Sequence, residues 1–153
     1  MKYYSSSSHV QASQAAAWVF ITDLHRRSEW EHGVRTLLSV DEGPVGVNTA
    51  FKERLRIFSL FHAEGEWRIA QFNACSLYEY RGRLPIIGSA TFRYTLDPSD
   101  DGCVCTVQVY YEPRSGIAGT LLDKVFVGPR IARTIARNLR RMKRLVEARP
   151  TEA

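Results

Sequence analysis

The stretch NTAFKERLRIFSLFHAEGEWRIAQF, residues 48–72, decides the fold. Side chains of a β-strand point to alternate faces, so one face repeats every second residue. In the first half Phe51, Glu53, Leu55 and Ile57 share a face, and Lys52, Arg54 and Arg56 share the other. In the second half Phe61, Ala63, Gly65, Trp67 and Ile69 alternate with His62, Glu64, Glu66 and Arg68. A tight hairpin near Ser59 then sets Lys52 opposite Glu66 and Arg54 opposite Glu64. One face becomes a ladder of opposite charges. The other pairs Phe51 with Trp67, Leu55 with Ala63 and Ile57 with Phe61. Glu53 breaks the pattern, because it lies on the apolar face opposite Gly65.

The same alternation extends in both directions. Segments 2–11, 34–41, 75–83, 87–97 and 103–113 read as further strands, separated by Gly43-Pro44-Val45-Gly46, Asn73, Pro85 with Gly88, and the run from Asp97 to Gly102. Tyr78 and Tyr80 share one face against Glu79, Arg81 and Arg83. Phe92, Tyr94 and Leu96 share another, as do Cys103, Cys105, Val107, Val109 and Tyr111. Ser13 suits the N-cap of a helix running to Thr22, since its hydroxyl accepts from an orphan backbone N–H. A second short helix over Leu24–Trp30 closes at Gly33.

From Ile117 to about Glu147 the period becomes helical. Ile131, Ile135, Leu139, Met142 and Val146 form one apolar stripe. Gly128-Pro129 predicts a kink or break, since an interior proline removes a hydrogen bond and clashes with the preceding turn. About seven antiparallel strands followed by one long helix bury both apolar faces only if the sheet curls around the helix. The expected class is α+β, with two short helices after the first strand.

A chain of 153 residues is one domain's worth, here 1–149 with a short tail at 150–153. Its 44 % hydrophobic and 24 % charged content excludes a disordered chain or a membrane bundle. Tyr3–Thr22 carries no ionised side chain until Asp23, but Ser5–Ser8, Gln11, Ser13 and Gln14 make it too polar to span a bilayer. It shows no signal-peptide pattern. Three cysteines, Cys75, Cys103 and Cys105, make no disulfide framework and suit reduced thiols in a cytoplasmic protein. The 17 Arg against 4 Lys are compatible with a GC-rich bacterial genome.

The net charge of +5 is uneven: residues 1–129 sum to −1, and residues 130–153 to +6. Arg130, Arg133, Arg137, Arg140, Arg141 and Arg144 follow the helical repeat opposite the apolar stripe. A solvated face is the plain expectation. An acidic partner or an anionic membrane surface at these arginines is the functional alternative. Nucleic acid is disfavoured, because the stretch has no aromatics for base stacking and no groove-reading motif.

The order of elements, with the residues at their junctions, resembles the START-like helix-grip superfamily, also called SRPBCC. The matching stretches are Ala12 to Trp18 and on to Thr22-Asp23, Glu29-Trp30, Gly33-Val34, and Gly43 to Thr49. Gly102, Gly116 and Leu139 to Glu147 complete them. That group includes birch-pollen-type allergens, lipid-transfer START domains and polyketide cyclase/dehydrase-like proteins. The resemblance implies a curved sheet gripping the long C-terminal helix, with a cavity between them for a small hydrophobic or amphipathic ligand. It implies no shared catalytic motif, and binding proteins and enzymes share such folds.

On this expectation the cavity is lined by Phe51, Leu55, Trp67, Tyr78, Tyr80, Phe92, Tyr94, Val107, Val109, Tyr111, Leu121 and Val125. The phenolic hydroxyls would give oriented hydrogen bonds among apolar walls. Glu53 is the candidate catalytic group, since burial disfavours its charged form and raises its pKa toward acid/base use. An ion pair with an inward-facing Arg, or a local bulge turning Glu53 to solvent, is its structural alternative. His25, Glu29 and His32 have a spacing compatible with metal ligands but read as a solvated turn, so neither metal nor cofactor is expected. Gly43–Gly46 lacks the Lys-Ser/Thr of a phosphate loop and joins two strands. Three functions stay open: a carrier of a hydrophobic ligand, a polyketide cyclase or dehydratase, and an interaction module working through the Arg-rich helix.

Overall fold

The computed structural model describes residues 2–57, 61–84, 88–112 and 128–148. The chain enters through β1 (Lys2–Val10), α1 (Gln14–Ile21), a 3₁₀ turn (Leu24–Arg26) and α2 (Arg27–Trp30). Six strands follow: β2 (Val34–Val40), β3 (Ala50–Ile57), β4 (Phe61–Asn73), β5 (Leu77–Leu84), β6 (Gly88–Ser99) and β7 (Gly102–Tyr111). The last described element is α3 (Gly128–Glu147). All pairings are antiparallel, in the order β1-β7-β6-β5-β4-β3-β2, so the seven strands form one open curved sheet with β1 and β2 at its edges.

The β3–β4 register is the one the alternation requires. Phe51 pairs with Trp67, Lys52 with Glu66, Glu53 with Gly65, Arg54 with Glu64, and Leu55 with Ala63. Lys52 and Glu66 form an ion pair of 3.2 Å on the outer face. The expected hairpin tip at Ser59 lies outside the described residues. Register shifts interrupt β2 at Val34/Thr36 and Leu37/Ser39, and β4 at Ile69/Gln71. Such irregularities bend and twist a strand, and they carry part of the curvature.

Ser13 caps α1 as expected, its hydroxyl accepting from the Ala16 N–H at 3.1 Å. Ala17, Trp18, Phe20 and Ile21 of that helix are buried. The predicted second helix is split. Asp23 caps the 3₁₀ turn through the His25 N–H, and only one α-helical turn follows. Gly33 ends this segment with φ of +100°, a left-handed conformation that costs glycine little.

α3 turns Ile135, Leu139, Met142 and Val146 inward, with Ile131 partly buried at its start. The described part of α3 begins at Gly128, so the kink or break expected at Gly128-Pro129 falls at the edge of the described residues. The apolar face read over Ile117–Phe126 lies outside the described residues. α3 packs chiefly on β1, with Lys143 Nζ donating to the His9 carbonyl at 2.8 Å and to Glu147 at 2.7 Å.

The core is unusually aromatic along β3–β6, and two glycines make room for it. A Cβ on Gly65 would lie 2.8 Å from Trp67 Nε1 and 2.9 Å from Leu55 Cδ1. A Cβ on Gly82, which pairs with Trp67, would collide with the Glu66 carbonyl oxygen and press on the Trp67 ring. Trp67 therefore lies across both glycines and meets Tyr80 and Phe92 edge-on, at ring-centroid distances of 5.2 and 5.5 Å. Overpacking a filled core costs about 1–3 kcal/mol. Gly82→Ala is expected to lose at least that much in urea unfolding and to shift the Trp67 fluorescence, whereas Gly43→Ala, at a site with open space around it, should leave the ring environment unchanged.

Candidate functional site

The irregularity that stood out in the sequence sits at the centre of the inner face. Glu53 on β3 is fully buried, and its partner is Arg27, the first residue of α2. Arg27 Nε donates to Glu53 Oε2 at 2.6 Å, and Nη2 donates to Oε1 at 3.2 Å. The same guanidinium reaches Glu31 one turn later, through Nη2 to Oε2 at 2.8 Å and Nη1 to Oε1 at 3.2 Å. Glu53 is therefore ion-paired with an inward-facing arginine, one of the two structural alternatives its position allowed.

Two tyrosines close the cluster from the sheet. Arg27 Nη2 donates to the Tyr80 hydroxyl at 3.0 Å, and the Tyr94 hydroxyl donates to Glu31 Oε1 at 2.6 Å. Tyr80 also reaches that oxygen, at 3.4 Å. The guanidinium lies over the ring of Tyr80 at 4.7 Å and that of Phe51 at 5.6 Å. Arginine suits this place because its planar fork serves two carboxylates while its face stacks on aromatic rings.

The electrostatics follow from one cation facing two carboxylates. Burial alone would pull the Arg27 guanidinium down, but the charges of Glu31 and Glu53 overcome it and hold the pKa well above the ordinary value. Burial raises Glu31, and Arg27 only partly offsets that while Glu53 adds to it, so Glu31 stays above the usual carboxylate range. Burial likewise lifts Tyr80 and Tyr94, so both are phenols and not phenolates. Within the cluster Glu31 is the carboxyl with the raised pKa, and a short hydrogen bond already points at it.

The expected lining residues come together. Phe51, Leu55, Trp67, Tyr78, Tyr80, Tyr94, Val107, Val109 and Tyr111 are buried on the inner face, and Phe92 is half-buried. Leu121 and Val125, expected on the far wall, lie outside the described residues. Tyr78 stacks on Tyr94 and lies tilted against Tyr80, and its buried hydroxyl makes no hydrogen bond of full geometry, with the Arg27 guanidinium near enough to act on it. The indole N–H groups of Trp67 and Trp30 are buried and unpartnered. Buried polar groups are nearly always paired, and these two indole N–H groups are exceptions among the described residues.

Other sequence candidates separate. His25 and Glu29 are exposed, and Glu29 pairs with Arg26 at 2.6 Å. Among the described residues no group of three or more His, Cys, Asp or Glu side chains is placed to hold a metal. Cys103 and Cys105 are free and buried, and burial pushes the Cys105 thiol up to about 12, which leaves it unreactive. Arg130, Arg133, Arg137, Arg140, Arg141 and Arg144 are all exposed. A groove of about 370 Å³ opens among Ser39, Asp41, Lys52, Glu66, Arg68 and Arg81, and Ala50, Phe51 and Trp67 also border it.

The model of the family described as polyketide cyclase/dehydrase and lipid transport matches residues 1–147. The chain belongs to that family. Solved structures share its fold at low identity. TTHA0849 from Thermus thermophilus aligns with a TM-score of 0.79 at 14 % identity, covering 96 % of this chain and 98 % of that one. The Zhui aromatase/cyclase from Streptomyces sp. R1128 aligns at 0.71 with 12 % identity, over 94 % and 95 %. The di-domain ARO/CYC StfQ from the steffimycin biosynthetic pathway aligns at 0.76 with 14 % identity, where 95 % of this chain covers 50 % of that one. Among curated proteins none matches the sequence. The polyketide cyclase/dehydrase family thus carries forward the helix-grip resemblance, and no described helix is long and apolar enough to cross a membrane.

Arg27 and Glu31 escaped the sequence reading. Their segment reads as a solvated turn because His25, Glu29 and His32 dominate it. Leu24, Arg27 and Glu31 nevertheless share one helical face beside Trp30, and a lone inward Glu53 demands a cation somewhere. Removing that cation leaves two buried carboxylates unpaired, which costs about 3–5 kcal/mol for a buried pair. Arg27→Met should lose stability on that scale, and the loss should shrink on acidification as the carboxylates take up protons. Glu31 has a folded pKa above the unfolded one, so its contribution is full below about 4.5 and is lost as pH rises through the folded value. Glu31→Gln should remove that part of the pH profile of urea midpoints.

Proposed function

We propose that this member of the family binds a small hydrophobic or amphipathic molecule, lipid- or polyketide-like, against the aromatic inner face of the sheet. The supporting observation is the combination of apolar aromatic walls, an unpartnered Trp67 indole N–H and the buried Arg27–Glu31–Glu53 cluster on the same inner face. Apolar surface supplies most of the affinity of such a site, at roughly 25 cal/mol per Å² buried. The few polar groups then set orientation. A ligand carrying carbonyl or hydroxyl oxygens along an apolar frame fits that chemistry.

Catalysis of the polyketide cyclase or dehydratase type is the second reading, and the environment of Glu31 favours it. A carboxyl with a raised pKa, held by Tyr94 and adjoining Arg27, is suited to take a proton from carbon and return it to oxygen. In that reading Glu53 and Glu31 act as a pair about one guanidinium: Glu53 keeps Arg27 in place, and Glu31 holds the proton. The Tyr80 and Tyr94 phenols would polarise a ligand carbonyl. An acidic partner at Arg130, Arg133, Arg137, Arg141 and Arg144 is a third, independent possibility that exposure of those side chains permits.

Native mass spectrometry of the purified protein, with displacement of 1-anilinonaphthalene-8-sulfonate by long-chain fatty acids and by polycyclic phenols, tests binding. Saturable displacement is expected. Tyr78→Phe and Trp67→Phe should weaken the oxygen-bearing phenols about 3–10-fold, the scale of one hydrogen bond, and leave a plain aromatic hydrocarbon unaffected. No saturable displacement by either class overturns the binding proposal. For catalysis, ring closure or dehydration of a poly-β-ketone thioester should fall at least about 100-fold in Glu31→Gln. Unchanged turnover in both Glu31→Gln and Glu53→Gln would remove the acid/base roles.

A further inference from the structure

His32 directly follows the buried Glu31, but its own side chain is exposed. Its backbone N–H donates to Asn138 Oδ1 at 2.7 Å, which seats the end of α2 on α3. Arg137 precedes Asn138, and Arg141 stands one turn beyond it. From the sheet, the Arg56 N–H donates to the Gly33 carbonyl at 2.7 Å, so the end of β3 lies beside the residue after His32. Arg35 falls in the register shift between Val34 and Thr36 on β2. Three elements thus bring four arginines with exposed side chains into the neighbourhood of His32.

The charges act on that imidazole. Burial first, and then Arg137, Arg35, Arg141 and Arg56, hold His32 below its ordinary pKa. Of the titratable groups next to this segment, Glu31 points inward to Arg27, and His62 on β4 pairs in register with Arg56. Arg26, Arg27, Arg81 and Arg93 each have a carboxylate partner. Among the described residues Arg35, Arg137 and Arg141 take part in no ion pair, and each is exposed.

Like charges drawn together from separate elements repel one another, and a bound dianion would turn that repulsion into attraction. Guanidinium forks match the oxygens of a phosphate two at a time. We propose that His32, Arg35, Arg56, Arg137 and Arg141 form a surface site for the phosphate monoester group of a small molecule, separate from the buried cluster. The site stands independently of the cavity proposal. It also differs from the general basic face of α3, because β2 and β3 contribute to it.

Inorganic phosphate is the probe, added at constant ionic strength with sodium chloride making up the difference. The readout is the titration of the His32 imidazole by NMR, assigned with His32→Asn. Phosphate should raise the His32 midpoint saturably. The dissociation constant should weaken about tenfold or more in R137Q/R141Q, since each tenfold is only about 1.4 kcal/mol. It should stay within about twofold in R140Q/R144Q, which removes the same charge from the same helix. R35Q provides a second variant on the sheet and should also weaken binding. An unmoved His32 midpoint, or equal losses in the two double variants, overturns the proposal. So does attachment to phosphatidic acid vesicles with no response to free phosphate, which would mean a charged surface and not a site.

Discussion

Among the described residues one cation, Arg27, is fully buried, and the fold is organised around it. Arg27 leaves water completely and binds two carboxylates, one from its own helical turn and one from the middle of β3. Neither charge is tolerable there alone, because an unpaired buried ion costs several kcal/mol or changes its protonation. The short α2 segment, with one α-helical turn, has little stability of its own. Its position against the sheet is therefore held by the ion pair to Glu53, by hydrogen bonds to Tyr80 and Tyr94, and by the His32 N–H to Asn138.

The two faces of the sheet treat a buried carboxylate differently. On the inner face Glu31 sits in a closed cluster where burial dominates, and its pKa is raised. On the outer face Glu79 is also covered, but Arg93 at 2.6 Å and Arg81 at 2.8 Å reach over it from solvent. Burial pushes Glu79 up, and the hydrogen bonds from Arg93 and Arg81 outweigh it, so its pKa is lowered. Two cations on one carboxylate make a structural clasp. One cation between two carboxylates leaves Glu31 with a raised pKa, and that difference is why the inner cluster attracts a functional reading.

Membership of the polyketide cyclase/dehydrase and lipid transport family places this chain among proteins whose common fold supports both carriage and catalysis. The aromatic rings along β3–β6 provide the apolar surface that either activity needs. The positions of Gly65 and Gly82 are part of the same arrangement, since they let the Trp67 ring lie flat between neighbouring strands. The end of α2 joins this interior to the surface: Glu31 faces in, and His32 faces out among arginines.

The strands and the pairing of β3 with β4 were legible in the sequence because alternation is local and a one-residue slip would expose every apolar side chain. Lys52 against Glu66 and Phe51 against Trp67 follow from counting alone, as do the Ser13 cap and the Gly33 stop. Glu53 was visible as an exception but not its partner, since Arg27 lies 26 residues away and nothing local reveals which arginine turns inward. The burial of Glu79 was hidden for a similar reason: its cover comes from Arg93 on the neighbouring strand as well as from Arg81. By itself the sequence determined the periodicities, the ends of several elements, the apolar faces of β3 to β7 and the one carboxylate that violated them. Only the tertiary structure decided which cation neutralises that carboxylate, and that Glu31 joins it. Pairing between distant segments depends on how the sheet curls and where α2 docks, and no local pattern of side chains encodes that distance.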